Sequence, residues 1–343
     1  MNRSFRTLLL LVSSAGILIS GCKTPGHKKD DEAAVLLNPP FASITDSIRQ
    51  AGPGKTDSST KAELYFRRAE RLSRNNLHEL AAADYQIAWE LNPDEATGLR
   101  YSSALSITGQ TQKAIRLLKE CRQRFPSNAG FAAMLGDIYQ QSGQTIEALQ
   151  VYDTILRADS LNFEAWYEQG LLLEKANDTA GAIKALARAY TLQPINTYAL
   201  ELAHLYAEQK NPAALPICDM VLRKDSANEL LDPLFIKGIY YSNTAQYKKA
   251  IVQFDSCIRR DWKFTDAYLE KGIALYRQKN YEEALKIFMM TVNVSNTYPD
   301  GYFWIGRCYE ATGRKDQAVL YYQRALALDK DFTEAAEAIR RLR

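Results

Sequence analysis

Small residues recur along this chain at an interval close to 34, and no other feature constrains its fold as tightly. A first column holds Ala69, Gly136, Gly170, Ala203, Gly238, Gly272 and Gly306. A second holds Ala81, Ala114, Ala148, Ala182, Ala214, Ala250, Ala284 and Ala318, at spacings of 33, 34, 34, 32, 36, 34 and 34 residues. A third, four residues later, is bulky: Tyr85, Leu118, Tyr152, Leu186, Cys218, Phe254, Phe288 and Tyr322. Pro93, Pro126 and Pro194 close three of the units. A unit this short cannot bury its own apolar face, so stacked neighbours must do it.

The fourth unit reads Trp166, Gly170, Leu173, Ala182, Leu186, Ala189 and Pro194; the eighth reads Tyr302, Gly306, Tyr309, Gly313, Ala318, Tyr322 and Ala325. These residues resemble the tetratricopeptide repeat family, whose unit is a helix hairpin. The resemblance covers residues 62–330. It implies an all-α, right-handed superhelical solenoid of eight hairpins, closed by a capping helix over 331–343. The small residue of each first helix is expected to face the alanine of the second, with the bulky residue beside the next unit. Unit two departs from the pattern, with Gly98 at a large position and Ser102 at the small one. Unit five departs with a short turn and Pro216 in its second helix, where a bend is expected. In the capping helix, Arg340, Arg341 and Arg343 are expected on the exposed end, suited to the negative pole of the helix dipole.

Arg3 and Arg6 precede an uncharged, mostly apolar run over residues 7–20. That is shorter than the roughly 20 residues a spanning helix needs and suits a signal peptide over 1–21. The run ends in Ile19-Ser20-Gly21-Cys22, which resembles the lipobox of bacterial lipoproteins. The resemblance implies acylation of Cys22, and two or more acyl chains anchor stably in a bilayer. Lys23, where aspartate would be the inner-membrane retention cue, favours by the same resemblance the outer membrane and its periplasmic face. Lys28-Lys29-Asp30-Asp31-Glu32 is similar to the surface-export signal of Bacteroidota lipoproteins, although it lies farther from the cysteine. Residues 22–61 are expected to form a flexible tether, broken by one helix near 41–48 whose Ile44 and Ile48 share a face toward the first repeat. Gly54-Lys55-Thr56 is no phosphate loop, because position 49 is Arg where that motif needs glycine.

Residues 62–343 carry 35 Lys+Arg and 35 Asp+Glu. That balance argues against a nucleic-acid binder, which needs a basic surplus. By the family resemblance, the first helices line a groove. Its fifth position is apolar throughout: Phe66, Leu99, Ala133, Tyr167, Leu200, Phe235, Leu269 and Phe303. Glu164, Glu168, Glu174, Glu201, Glu208, Asp232, Asp266, Glu270, Asp300 and Glu310 surround it in units four to eight, against Lys175, Arg277 and Arg307. The expectation is an acidic groove with an apolar floor, binding envelope proteins or peptide segments with apolar and basic residues. The residues expected to bind are Phe66, Tyr167, Glu168, Glu201, His204, Phe235, Leu269, Glu270, Phe303 and Arg307. The competing expectation is that the apolar residues pack on the next unit and the acids are a solvated face. Lysine is absent at the fifth position, which disfavours the chaperone-tail clamp of some relatives.

Arg67, Arg68, Arg71 and Arg74 cluster on the first helix, with Glu63 and Glu70 at pairing distance. Cys121, Cys218, Cys257 and Cys308 form no Cys-x-x-Cys pair and are expected to be buried. His27, His78 and His204 are too scattered for a metal site, and no cofactor motif is present. No nucleophile and base stand at a productive spacing. The chain is therefore expected to be a non-catalytic scaffold or assembly adaptor of the bacterial envelope. The alternative is a regulatory subunit of an envelope enzyme such as a cell-wall hydrolase.

Overall fold

The computed structural model describes residues 34–52 and 57–342. The expected signal peptide, Cys22 and Gly54-Lys55-Thr56 lie outside those residues. A short helix, α1 (Ala42–Gln50), precedes the hairpins. The hairpins are α2 (Ser58–Arg74) with α3 (His78–Leu91), α4 (Glu95–Ile107) with α5 (Thr111–Arg124), α6 (Ala129–Gln141) with α7 (Thr145–Ala158), and α8 (Phe163–Lys175) with α9 (Thr179–Leu192). Next come α10 (Asn196–Glu208) with α11 (Ala214–Lys224), α12 (Asp232–Asn243) with α13 (Tyr247–Arg260), α14 (Thr265–Arg277) with α15 (Tyr281–Val294), and α16 (Pro299–Ala311) with α17 (Lys315–Leu328). A single helix, α18 (Thr333–Leu342), ends the chain. Residues 34–185 and 186–342 form two compact units. The described residues contain no strand, and the eight expected hairpins and the capping helix are all present.

The small column faces the alanine, a Cβ at Gly306 lying 3.2 Å from the Ala318 carbonyl, but its tightest neighbour is the bulky residue. A Cβ at Gly238 would lie 2.4 Å from the Phe254 ring, at Gly272 2.4 Å from Phe288, at Gly306 2.6 Å from Tyr322, and at Gly136 2.8 Å from Tyr152. The bulky residue therefore lies across its own unit's first helix, and the glycine is the space it occupies. Three of these bulky residues are tyrosines that extend past that helix. Tyr85 donates to Glu70 (2.6 Å), Tyr152 to Asp137 (2.9 Å), and Tyr322 to Glu310. In unit two, Gly98 makes room for the Cys121 thiol and the Trp89 and Phe131 rings. Ser102 is buried there, and its hydroxyl donates to the Gly98 carbonyl.

Each hairpin turns on a residue with φ near +60°: Asn76, Gly109, Gly143, Asn177, Lys210, Ala245, Lys279 and Gly313. Several first helices begin on side-chain caps. Asp57 accepts from the Thr60 amide, Asp94 from Thr97, and Asn162 from Ala165, each at 2.8 Å.

Unit five corrects two expectations. Its turn, 209–213, is longer than its neighbours', not shorter, and Pro216 is the third residue of α11. The first amides of a helix have no intrahelical acceptor, so proline there removes no bond and imposes no bend. The long connection 225–231 is held instead by Asp225, which accepts from the Glu229 and Leu230 amides (both 3.1 Å) and from Arg260 (3.0 Å).

The stretch before the hairpins also differs from expectation. Residues 34–51 are not free tether. Phe41, Thr45, Ile48 and Ala51 are buried, while Ile44 stays half-buried. Arg68 leaves the expected arginine surface. It is buried and donates to both oxygens of buried Asp84 (2.6 and 2.8 Å) and to the Thr45 hydroxyl (3.2 Å). Arg71 donates to the Pro40 carbonyl at 2.9 Å. At the other end, Arg340 and Arg341 are exposed as expected, and Arg341 in addition pairs with Glu310 at 2.6 Å.

Candidate functional site

The unit 34–185 contributes Phe66, Tyr167 and Glu168. Phe66 is half-buried, with its ring 5.7 Å from Tyr85 in an edge-on contact. Tyr167 and Glu168, on α8, are half-buried. Burial and then the charge of Asp137 push the Glu168 carboxyl above its ordinary range.

The unit 186–342 contributes the rest. Phe235 and Leu269 are 1% exposed and Phe303 is 8% exposed. Phe235 packs on Phe254 and Phe264 at 5.7 and 5.1 Å. Phe303 packs on Tyr322 and on Phe332 at 5.5 and 5.0 Å. These three residues form the core beneath the first-helix face, joining one hairpin to the next, and supply no open apolar floor. The sequence signal was real, but it reported packing.

Of the acids expected on this face, Asp266 and Glu270 are buried, so Glu270 is not an open groove contact, whereas Glu208 is exposed and Asp300 half-buried. Glu270 has the carboxylates of Glu208, Asp266 and Asp300 and the guanidinium of Arg277 as its electrostatic neighbours, drawn from α10, α14 and α16. Burial pushes the Glu270 carboxyl up to about 8. Tyr298 donates to Asp266. Glu201 is half-buried. His204 is buried, and burial drives its pKa down to about 4, so the ring is neutral near pH 7. It is unsuited to act there as a proton shuttle. Arg307 lies within 6 Å of three ring centres, Tyr276 (5.5 Å), Trp304 (5.5 Å) and Phe303 (5.9 Å). An aromatic seat of this kind holds a cation in place without cancelling its charge. Sequence reasoning missed Tyr276 and Trp304, whose role depends on contacts between units.

Cys121, Cys218, Cys257 and Cys308 are buried free thiols, each pushed up to about 12, chiefly by burial. Such thiols are poor nucleophiles and poor metal ligands. Among the described residues, no cluster of His, Cys, Asp or Glu has the arrangement to hold a metal.

Two tetratricopeptide repeat family models match the chain, over residues 133–197 and 264–331. A curated relative, "Tetratricopeptide repeat protein 1" of Schizosaccharomyces pombe, is 23% identical over 241 residues, covering 63% of this chain and 23% of its own. The chain spans under a quarter of the length of the first curated relatives it matches. Among solved structures, the APC/C hetero-tetramer Cut9-Hcn1 aligns with a TM-score of 0.52 and 16% identity, over 88% of this chain and 59% of that one. PilW, a type IV pilus biogenesis factor, aligns with a TM-score of 0.53 and 15% identity, over 62% of this chain and 97% of that one. At these identities the structural likeness bears on the fold.

Proposed function

We infer from the tetratricopeptide repeats of this chain, and from the charge on its first-helix face, that it is a non-catalytic scaffold gripping a basic stretch of another protein. The observation that carries this reading is the gathering of Glu208, Asp266 and Asp300 around the buried Glu270, with Arg277 beside it, in an array whose total charge is balanced. Glu270, buried and pushed up to about 8, holds its proton near pH 7, so the charge offered to a cationic partner is that of exposed Glu208 and half-buried Asp300 beside it. With Phe235, Leu269 and Phe303 committed to the core, recognition rests on charge more than on apolar anchors. Glu201→Lys, Glu208→Lys and Asp300→Lys together should weaken capture of a Lys/Arg-rich partner at low salt. Salt should weaken the natural pair in the same way. Unchanged capture would remove the acidic face from the account.

The same reading places the scaffold at the bacterial envelope through acylated Cys22, most simply on the periplasmic face of the outer membrane. Support comes from Ile19-Ser20-Gly21-Cys22 and the basic start before it. Cys22→Ser should move the protein from the membrane fraction to the soluble fraction. Retention equal to that of the natural form would sink the anchor.

A further inference from the structure

The residue just before the small column is polar in several units, and its partner shows what α1 is. Gln169 donates to Asp153, Lys237 to Asp219, and Lys271 to Asp255, each at 2.6 Å. In every case the aspartate sits on the second helix of the preceding hairpin. The equivalent residue of the first hairpin is Arg68, and among the described residues no hairpin precedes it. Arg68 pairs with Asp84 of its own hairpin, and its remaining donor reaches Thr45 of α1. Thr45 in turn contacts the Leu36 and Phe41 carbonyls at 2.8 and 3.0 Å. Phe41 joins the same core as Ala69, Leu72 and Ala81. The α1 helix therefore stands where the second helix of a preceding unit would stand.

We propose that residues 34–51 are a docked collar that fixes the array to its anchor at short range. The proposal rests on the acylation of Cys22. From Cys22 to Ala34 there are twelve Cα steps, which span at most about 40 Å in any conformation. A free tether running to residue 61 would allow about 130 Å. The collar thus confines the first hairpin to a layer next to the bilayer, and with it the height at which a partner is met. Confinement of this kind raises effective concentration for partners at the membrane surface and excludes distant ones.

The test uses the full acylated protein in lipid vesicles. Hydrogen exchange should show the 45–51 amides protected at least tenfold over unfolded chain. Phe41→Asp with Ile48→Asp should abolish that protection while the amides of α4 to α17 keep theirs. Thr45→Val is the milder variant and should reduce the protection several-fold. A dye on Gln86→Cys, exposed on α3 of the first hairpin, the described native thiols being buried, should transfer energy efficiently to headgroup-labelled lipid. Transfer should fall by at least half when the collar is released. Rapid exchange over 45–51 in the natural protein, or equal transfer with and without the collar substitutions, would overturn the proposal. Intact mass showing Cys22 unmodified would instead sink the anchor, leaving hydrogen exchange to judge the collar alone.

Discussion

At Gly272 there is no room for a methyl group, because Phe288 already occupies the position 2.4 Å from where Cβ would sit. Gly272→Ala should lower stability by about 1–3 kcal/mol through overpacking, read from the denaturant midpoint. Adding Phe288→Leu should return part of that loss, and no recovery would mean the glycine avoids something other than the ring. The column itself was legible in the sequence, but its tightest neighbour was not. A spacing says which residues share a face, whereas the atom lying over that face depends on how two helices cross. The same ambiguity misassigned Phe235, Leu269 and Phe303, since an apolar position on a first helix reads alike whether it meets a ligand or the next hairpin. His204 carries a pH prediction. Unfolded histidine binds its proton near 6.5, whereas the buried ring does so only near pH 4. Between those values acid therefore favours unfolding, by up to about 3 kcal/mol across the window. His204→Gln should flatten the fall in thermal midpoint from pH 6.5 to 4. Glu270 titrates in the opposite sense, its raised pKa making stability fall as pH climbs from about 4.5 to 8. The two contributions are separable by substituting one residue at a time.

The turn inside each hairpin is the element-scale device, because all eight need a left-handed residue. Gly109, Gly143 and Gly313 meet that need without a side-chain clash, and Asn76 and Asn177 tolerate it. Lys210, Ala245 and Lys279 adopt the same conformation against their preference. Ala245→Gly and Lys279→Gly should therefore each stabilise by about 1 kcal/mol, with additive midpoints because the turns belong to different hairpins. A loss of stability would mean that the flexibility glycine gives the unfolded chain outweighs the relief of strain. Three of these turns could be anticipated from glycine, but no local signal marks lysine or alanine as left-handed. The hairpin around them imposes it. Pro216 misled in the opposite direction. Its effect depends on its count from the helix start, and that start lies three residues later than the alanine column suggests, Ala214 being the first residue of its helix where the other units have their alanine fourth. Pro216→Ala should change stability by less than about 1 kcal/mol, against the roughly 3 kcal/mol of an interior proline.

An array of like hairpins is stable to the extent that each face finds a neighbour, so its ends decide whether the stack persists. The first and last described hairpins are closed by different means. The first hairpin is covered by α1, whose Thr45 accepts from Arg68 of the buried Arg68–Asp84 pair. Asp84→Ala would leave a guanidinium buried without its charge partner, a change expected to cost about 3–5 kcal/mol. The last hairpin is covered by α18, whose Phe332, Ala335, Ala338 and Ile339 are buried. Arg341 binds Glu310, which also accepts from Tyr322. Burial alone would raise the Glu310 carboxyl, but these two hydrogen bonds hold it below its ordinary range. Ending the chain after Lys330 removes Phe332, one of the ring partners of Phe303, and exposes the apolar side of α16 and α17. The truncated protein should unfold at a lower midpoint and self-associate as its concentration rises. Hydrogen exchange should show the loss concentrated in the last hairpin and fading toward α12, because each hairpin touches only its neighbours. Uniform loss across residues 186–330 would mean that this half of the chain folds as one cooperative block rather than as a stack.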